Sequence, residues 1–241
     1  MSSRFLKLLN VARSNRLVMH NRRQLPVLCV TAYAVLTLWV TACTAAELSV
    51  TVSSSTGAAV EGAVIIAEPL KTAPRPPAGQ KAIMDQHNLQ FVPDVLIVQT
   101  GTAVDFPNSD QVRHQVYSFS DAKKFERSLY VGKAAAAVIF ESAGLVTLGC
   151  NIHDNMIGYL WVTDSPWYGR TGADGQLQLH NLAPGEYTLR VWHALVNESE
   201  PQIEQHLSVT EKPIDSVSIR LKRPLRPPPT NHGVNKAWEG Y

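Results

Sequence analysis

Residues 145–162 read LVTLGCNIHDNMIGYLWV. Two apolar runs, Leu145 to Leu148 and Ile157 to Val162, flank a turn that starts at Cys150. Branched and aromatic residues dominate both runs, so the stretch predicts two strands joined by a loop that carries a thiol, an imidazole and a thioether. Upstream, His114-Gln115-Val116-Tyr117-Ser118-Phe119 alternates as a strand after the turn Asn108-Ser109-Asp110. The same pattern recurs further out. Leu48-Ser49-Val50-Thr51-Val52 alternates, Ser53 to Gly57 turns, and Val60 to Ile66 forms a second strand. Towards the C-terminus, Gly172-Ala173-Asp174-Gly175 and Pro184-Gly185 make turns. Tyr187 to Trp192 and Val217 to Leu221 read as the last strands. No long stretch with a 3.6-residue period follows residue 46, which predicts an all-β protein.

Pro69 to Gly79, with Pro74, Pro76 and Pro77, reads as an extended linker ahead of a β-region from Ala82 to Asp164. The short piece from Glu47 to Leu70 cannot bury a core alone. VTVSSSTGAAVEGAVII at 50–66 and GRTGADGQLQLHNLAPGEYTLRV at 169–191 together resemble a carboxypeptidase-regulatory-like β-sandwich split in two. The expected organisation is therefore a signal peptide at 1–46 and a split sandwich from 47–70 plus 167–221. A linker at 71–81 leads to an inserted domain at 82–164, and a Pro-rich basic tail at 222–241 is expected to be disordered. Exposed loop tips tolerate such insertions.

The N-terminal segment changes the meaning of the overall charge. Residues 1–46 hold six basic residues and no acidic one, leaving 16 basic against 20 acidic residues in the remainder. A nucleic-acid partner therefore loses its electrostatic basis. Arg22-Arg23, the apolar run Leu25 to Val40 and the small residues up to Ala46 follow the pattern of a secretory signal. The run is shorter than the ~20 residues that span a bilayer, so no stable membrane span is expected after its removal. The periplasm is the expected location. Val40-Thr41-Ala42-Cys43 also resembles a lipobox, which makes a lipid anchor at Cys43 the lesser alternative.

With the signal removed, Cys150 is the only thiol. It has no intramolecular disulfide partner, and a lone thiol in an oxidising compartment calls for another role. Cys150, His153 and Met156 lie within seven residues, and His114 offers a second imidazole. Thiolate, two imidazoles and a weak axial thioether form the ligand set of blue-copper sites. His87, His180, His193, His206 and His232 have no thiol or carboxylate at recognisable spacing and are expected not to be ligands.

Phe91-Val92-Pro93, Val98, Gly101, Val104-Asp105-Phe106-Pro107-Asn108 and Asp110 precede His114, and Cys150, His153 and Met156 follow it. In order and spacing this region, Leu89 to Val162, resembles the cupredoxins of the plastocyanin and amicyanin group. The ligand loop has the short Cys-x2-His-x2-Met form found in amicyanins. VRHQVYSFS and LGCNIHDNMIGYLWV are also similar to a periplasmic cupredoxin-like group that carries the label methylamine utilisation protein. The resemblance implies a Greek-key β-sandwich, inserted into or flanked by a second small immunoglobulin-like or prealbumin-like sandwich. It also implies one type 1 copper on His114, Cys150, His153 and Met156, single-electron transfer to a periplasmic redox partner protein, and His153 as the electron's port. Gln115 stands where plastocyanins have Asn, and the loop between His153 and Met156 is shorter than theirs.

Enzymatic activity is not expected. A multicopper oxidase or nitrite reductase would need further histidines, and no His-x-His occurs in the chain. Cys150 and His153 share one tight loop without a third orienting residue, unlike a Cys-His hydrolase. Two other readings use the same residues differently: a periplasmic copper chaperone or sensor, and a metal-free sandwich that binds an envelope partner.

Overall fold

The computed structural model describes residues 46–74, 76–132, 136–153, 155–196, 203–210 and 216–227. Residues 1–45 of the expected signal segment, Cys43 among them, lie outside these residues, as do Asp154 and His232. Among the described residues the regular structure is all β.

The chain opens with β1 (Ala46–Ser53) and β2 (Val64–Pro69). It continues through β3 (Lys81–Ile83), β4 (Asp85–His87), β5 (Gln90–Val92), β6 (Val95–Gln99) and β7 (Thr102–Asp105). Next come β8 (His114–Ser120), β9 (Lys123–Tyr130), β10 (Val138–Phe140), β11 (Gly144–Gly149) and β12 (Ile157–Thr163). The last strands are β13 (Tyr168–Arg170), β14 (Gln176–Leu182), β15 (Gly185–Trp192), β16 (Ile203–Val209) and β17 (Val217–Arg220).

Four sheets stack in layers. The order β14-β1-β17 forms the first, β13-β2-β15-β16 the second, β6-β12-β11-β8-β9 the third and β10-β7-β3 the fourth. Leu48, Val50, Val52 and Ile219 of the first layer meet Ile65, Ala67, Leu189 and Val191 of the second in one core. Val116, Val146, Leu148 and Leu160 of the third meet Val104, Val138 and Phe140 of the fourth in another. Between the second and third layers, Val64 and Ile66 pack against Val95 and Trp161.

The sequence periodicity follows from this stacking. An outer strand such as β1 buries alternate residues, Ala46, Leu48, Val50 and Val52. The seam strands β2 and β12 are covered on both faces and read as near-continuous apolar runs. In β2, Val64, Ile65, Ile66 and Ala67 are all buried, alternately in the first core and the seam. Each such Val or Ile contributes about 1.5–3 kcal/mol by leaving water.

The first two layers draw on chain before β3 and after β12, while the third and fourth are built from the stretch between. Buried Ser165 closes the return crossing: its hydroxyl donates to the Ala67 carbonyl at 2.5 Å and accepts from Trp167 N–H at 3.1 Å. A second tie crosses the seam, where Arg170 of β13 pairs with Asp94 at 2.9 Å. Two boundaries differ from expectation. β3 takes Lys81 from the end of the expected linker. Residues 222–227 of the expected tail lie on the molecule, with Arg226 N–H donating to the Leu195 carbonyl at 2.8 Å.

Candidate metal centre

His114 opens β8, Cys150 follows β11, and His153 lies in the loop that leads to β12. Because β8 and β11 are antiparallel neighbours, paired through Tyr117 and Gly149, the start of one strand meets the end of the other. That places His114 beside Cys150 although they are 36 residues apart. The ring of Tyr117 covers Gly149, where an added Cβ would stand 2.7 Å from the phenol carbon Cζ. Only glycine admits this packing immediately before the thiol.

The Cys150 Sγ atom lies 3.5 Å from His153 Nδ1 and 3.9 Å from His114 Nδ1, and the two Nδ1 atoms are 3.1 Å apart. Three donor atoms therefore face a common point. Nitrogens at ~2.0 Å and a thiolate at ~2.3 Å from one metal ion would be separated from one another by about 3.3–3.8 Å. The observed spacings straddle that range, and soft sulfur with two imidazoles is the donor set that suits copper.

His114 and Cys150 are buried, whereas His153 is half-buried. The loop is closed by Met156 N–H, which donates to the His153 carbonyl at 3.0 Å. Ile152 and Ile157, beside His153 and Met156 in sequence, are about half exposed, at 50% and 51%. Met156 is turned inward at 2% exposure and shares the core cluster of Cys150. The donor atoms of His114, Cys150 and His153 thus converge, and Met156 lies in the core cluster that holds Cys150.

Asp110, whose part in the site its spacing alone does not declare, stands behind His114. Its Oδ2 lies 2.8 Å from His114 Nε2. Oδ1 accepts from Asn88 N–H at 2.7 Å, and Oδ2 also accepts from Leu89 N–H at 2.9 Å. Burial pushes the carboxyl up, but the hydrogen bonds from Leu89, His114 and Asn88 outweigh it and hold the group below the usual aspartate range. An ionised Asp110 accepts a hydrogen bond from Nε2–H and leaves the His114 Nδ1 lone pair facing His153 Nδ1 and Cys150 Sγ. The available signal was the four-residue spacing from Asp110 to His114 within the Asn108 turn.

Asn108 builds that turn. Its Oδ1 accepts from Asp110 N–H at 3.0 Å, and its Nδ2 donates to the carbonyls of Val112 and Tyr130 at 2.8 and 2.7 Å. Burial, reinforced by the neighbouring His114 and opposed by Asp110, lowers the pKa of His153. A depressed value favours the neutral imidazole that ligates metals. His87 Nδ1 lies 3.7 Å from Asp110 Oδ1, and His180 pairs with Glu47 at 3.3 Å. His206 meets the Thr188 hydroxyl at 3.2 Å, and His193 is held by Glu61 and Leu195.

No family model matches the chain, and no curated protein is similar to it. Several solved structures are. A purple cupredoxin from Nitrosopumilus maritimus is 22% identical over 35% of this chain and 99% of its own, with a TM-score of 0.30. An oxidized mutant amicyanin is 18% identical over 40% of this chain and 98% of its own, at 0.32. A copper-containing nitrite reductase from Thermus scotoductus SA-01 is 21% identical at 0.33, and the match spans 39% of this chain but only 25% of that enzyme.

Proposed function

We propose that this chain is an exported type 1 copper protein that carries single electrons between redox partners in the periplasm. The observation that carries the reading is the convergence of Cys150 Sγ with the Nδ1 atoms of His114 and His153. His114, Cys150 and His153 would hold the ion, and the Met156 thioether would serve as a further, weak donor. Copper bound there would supply a one-electron Cu(II)/Cu(I) couple. The chain's part is to keep the donors still. Asp110 orients His114, the β8–β11 pairing fixes His114 against Cys150, and the Met156 N–H bond to His153 sets the loop. A framework that does not rearrange between oxidation states keeps the barrier to electron exchange low. The half-buried His153 ring offers the electron a way to a partner.

The outer sandwich, from 47–70 and 167–221, is assigned a scaffold role with a carboxypeptidase-regulatory-like fold, carrying 82–164 as an insertion. Catalysis is no part of this proposal. The test is titration of the metal-free protein with Cu(II), followed by optical and paramagnetic resonance spectra. An intense thiolate-to-copper band with stoichiometry near one, together with a reversible one-electron couple, supports the carrier. Binding without that band overturns the type 1 site. Copper that passes readily to an apo-protein and shows no reversible couple favours delivery over electron transfer.

A further inference from the structure

A cleft of about 640 Å³ opens at the seam between the second and third layers. This is the size range of small-molecule sites. Its walls come from both chain regions. Ile157 and Tyr159 of β12 face the turn after β15, which carries His193 and Leu195, and the segment that carries Arg226.

The charged and polar groups of the cleft differ in how far they are already engaged. Arg170 spends its guanidinium on Asp94 at 2.9 and 3.5 Å and on the Gly62 carbonyl at 3.3 Å. His193 is buried and uses both ring nitrogens: Nδ1 accepts from Leu195 N–H at 3.1 Å and Nε2 donates to the Glu61 carbonyl at 3.0 Å. It therefore braces the wall as a neutral ring and offers a ligand nothing. Arg226 differs. Its main chain is anchored by the 2.8 Å bond to Leu195, while among the described residues its guanidinium makes one long contact, 3.4 Å to the Ala194 carbonyl. A positioned guanidinium with unspent donors is the group best suited to a carboxylate. Tyr159 supplies an aromatic wall held edge-to-face by Trp192 at 5.0 Å, and Leu195 and Ile157 supply apolar surface.

We propose that this cleft binds a small planar aromatic carboxylate, with the carboxylate on Arg226 and the ring against Tyr159. With Arg170 paired to Asp94, the Arg226 guanidinium beside the apolar surface of Tyr159, Ile157 and Leu195 suits an amphiphilic anion better than a sugar or a bare ion, and Glu61 in the lining confines the anion to the Arg226 end. Arg170 is already neutralised by its ion pair with Asp94, so discrimination against an aromatic amine rests on Arg226. The site stands on the chain's own residues and holds whether or not copper is bound.

Calorimetric titration of the metal-free full chain with 4-hydroxybenzoate tests the assignment, with tyramine and cyclohexanecarboxylate as comparison ligands. The expected result is saturable one-site binding to 4-hydroxybenzoate, weaker binding of cyclohexanecarboxylate and none of tyramine. Arg226→Gln, an exposed substitution, is expected to weaken binding about tenfold with an unchanged far-ultraviolet circular dichroism spectrum. In the unsubstituted protein, backbone amide shifts should move at Ile157, Tyr159 and Leu195. Absence of saturable heat, equal binding by tyramine or cyclohexanecarboxylate, unaltered affinity in Arg226→Gln, or amide shifts confined to other regions would overturn it.

Discussion

The imidazole of His114 and the carboxylate of Asp110 meet at 2.8 Å, and the same carboxylate accepts backbone N–H groups from Asn88 and Leu89. Asp110 thus links His114 to the β4–β5 hairpin with an acceptor already fixed by two main-chain donors. Carboxylates behind a ligating histidine fix its tautomer and raise its basicity, and losing one costs about 10–100-fold in metal affinity. Asp110→Ala is expected to weaken copper binding within that range. Asp110→Asn keeps an acceptor but removes the negative charge, so the reduction potential should rise as the more positive oxidised state loses its nearby anion. A purely structural role for Asp110 would change unfolding midpoints and leave the potential where it was.

Cys150→Ser addresses the metal centre itself. The thiol is 5% exposed and lies in the core between the third and fourth layers. Serine nearly conserves its volume, and the surrounding strands do not depend on a bond to sulfur. The expected outcome is an unchanged all-β circular dichroism spectrum with complete loss of the intense visible band on copper addition. A blue spectrum that survives in Cys150→Ser would sink the ligand assignment.

How much of this was legible in the sequence depended on whether the signal was local. The single thiol after residue 46, the Cys-x2-His-x2-Met loop and the strand after Asn108 are short-range patterns. They pointed to His114, Cys150 and His153 before any contact was known. Met156 was legible as a residue of the loop, but its burial in the core was not, because a six-residue offset does not say which way a side chain turns. Asp110 stood in the family pattern, yet its bond to His114 depends on the shape of the Asn108 turn. The Asn88-Leu89 pair with positive φ (54° and 58°) adds to it, and spacing encodes neither. The layered packing is a long-range matter. Val64 and Ile66 on one face of β2 and Ile65 on the other find different partners only when four sheets stack.

Gly149 is required by the close approach of Tyr117. A Cβ there would stand 2.7 Å from Cζ and 2.8 Å from the hydroxyl oxygen. Gly149→Ala must therefore swing the ring off the strand next to Cys150. Overpacking of this kind costs about 1–3 kcal/mol, and urea unfolding should show a loss of that size. In a Tyr117→Ala background the same substitution should cost much less, since the clashing ring is gone. The non-additivity of the double-mutant cycle measures the contact, and strictly additive losses would mean that the glycine serves some other purpose.

Tyr130 gives the fold an alkaline limit. Its hydroxyl donates to the Phe106 carbonyl at 2.6 Å and accepts from the Gln86 side-chain amide. Burial, opposed by the Gln86 hydrogen bond and by Arg127, pushes the phenol up to about 12 from an ordinary value of 10.0. Between those values the folded chain keeps a proton that the unfolded chain has released, so stability falls as pH rises through the interval. Below the ordinary phenol range the contribution is fully present. Tyr130→Phe has no such proton. The stability difference between wild type and Tyr130→Phe should therefore be constant up to about pH 9 and shrink steadily towards pH 12. Urea midpoints measured across that interval check it, and a difference that stays constant to pH 12 would mean that the phenol ionises in the fold as freely as in water.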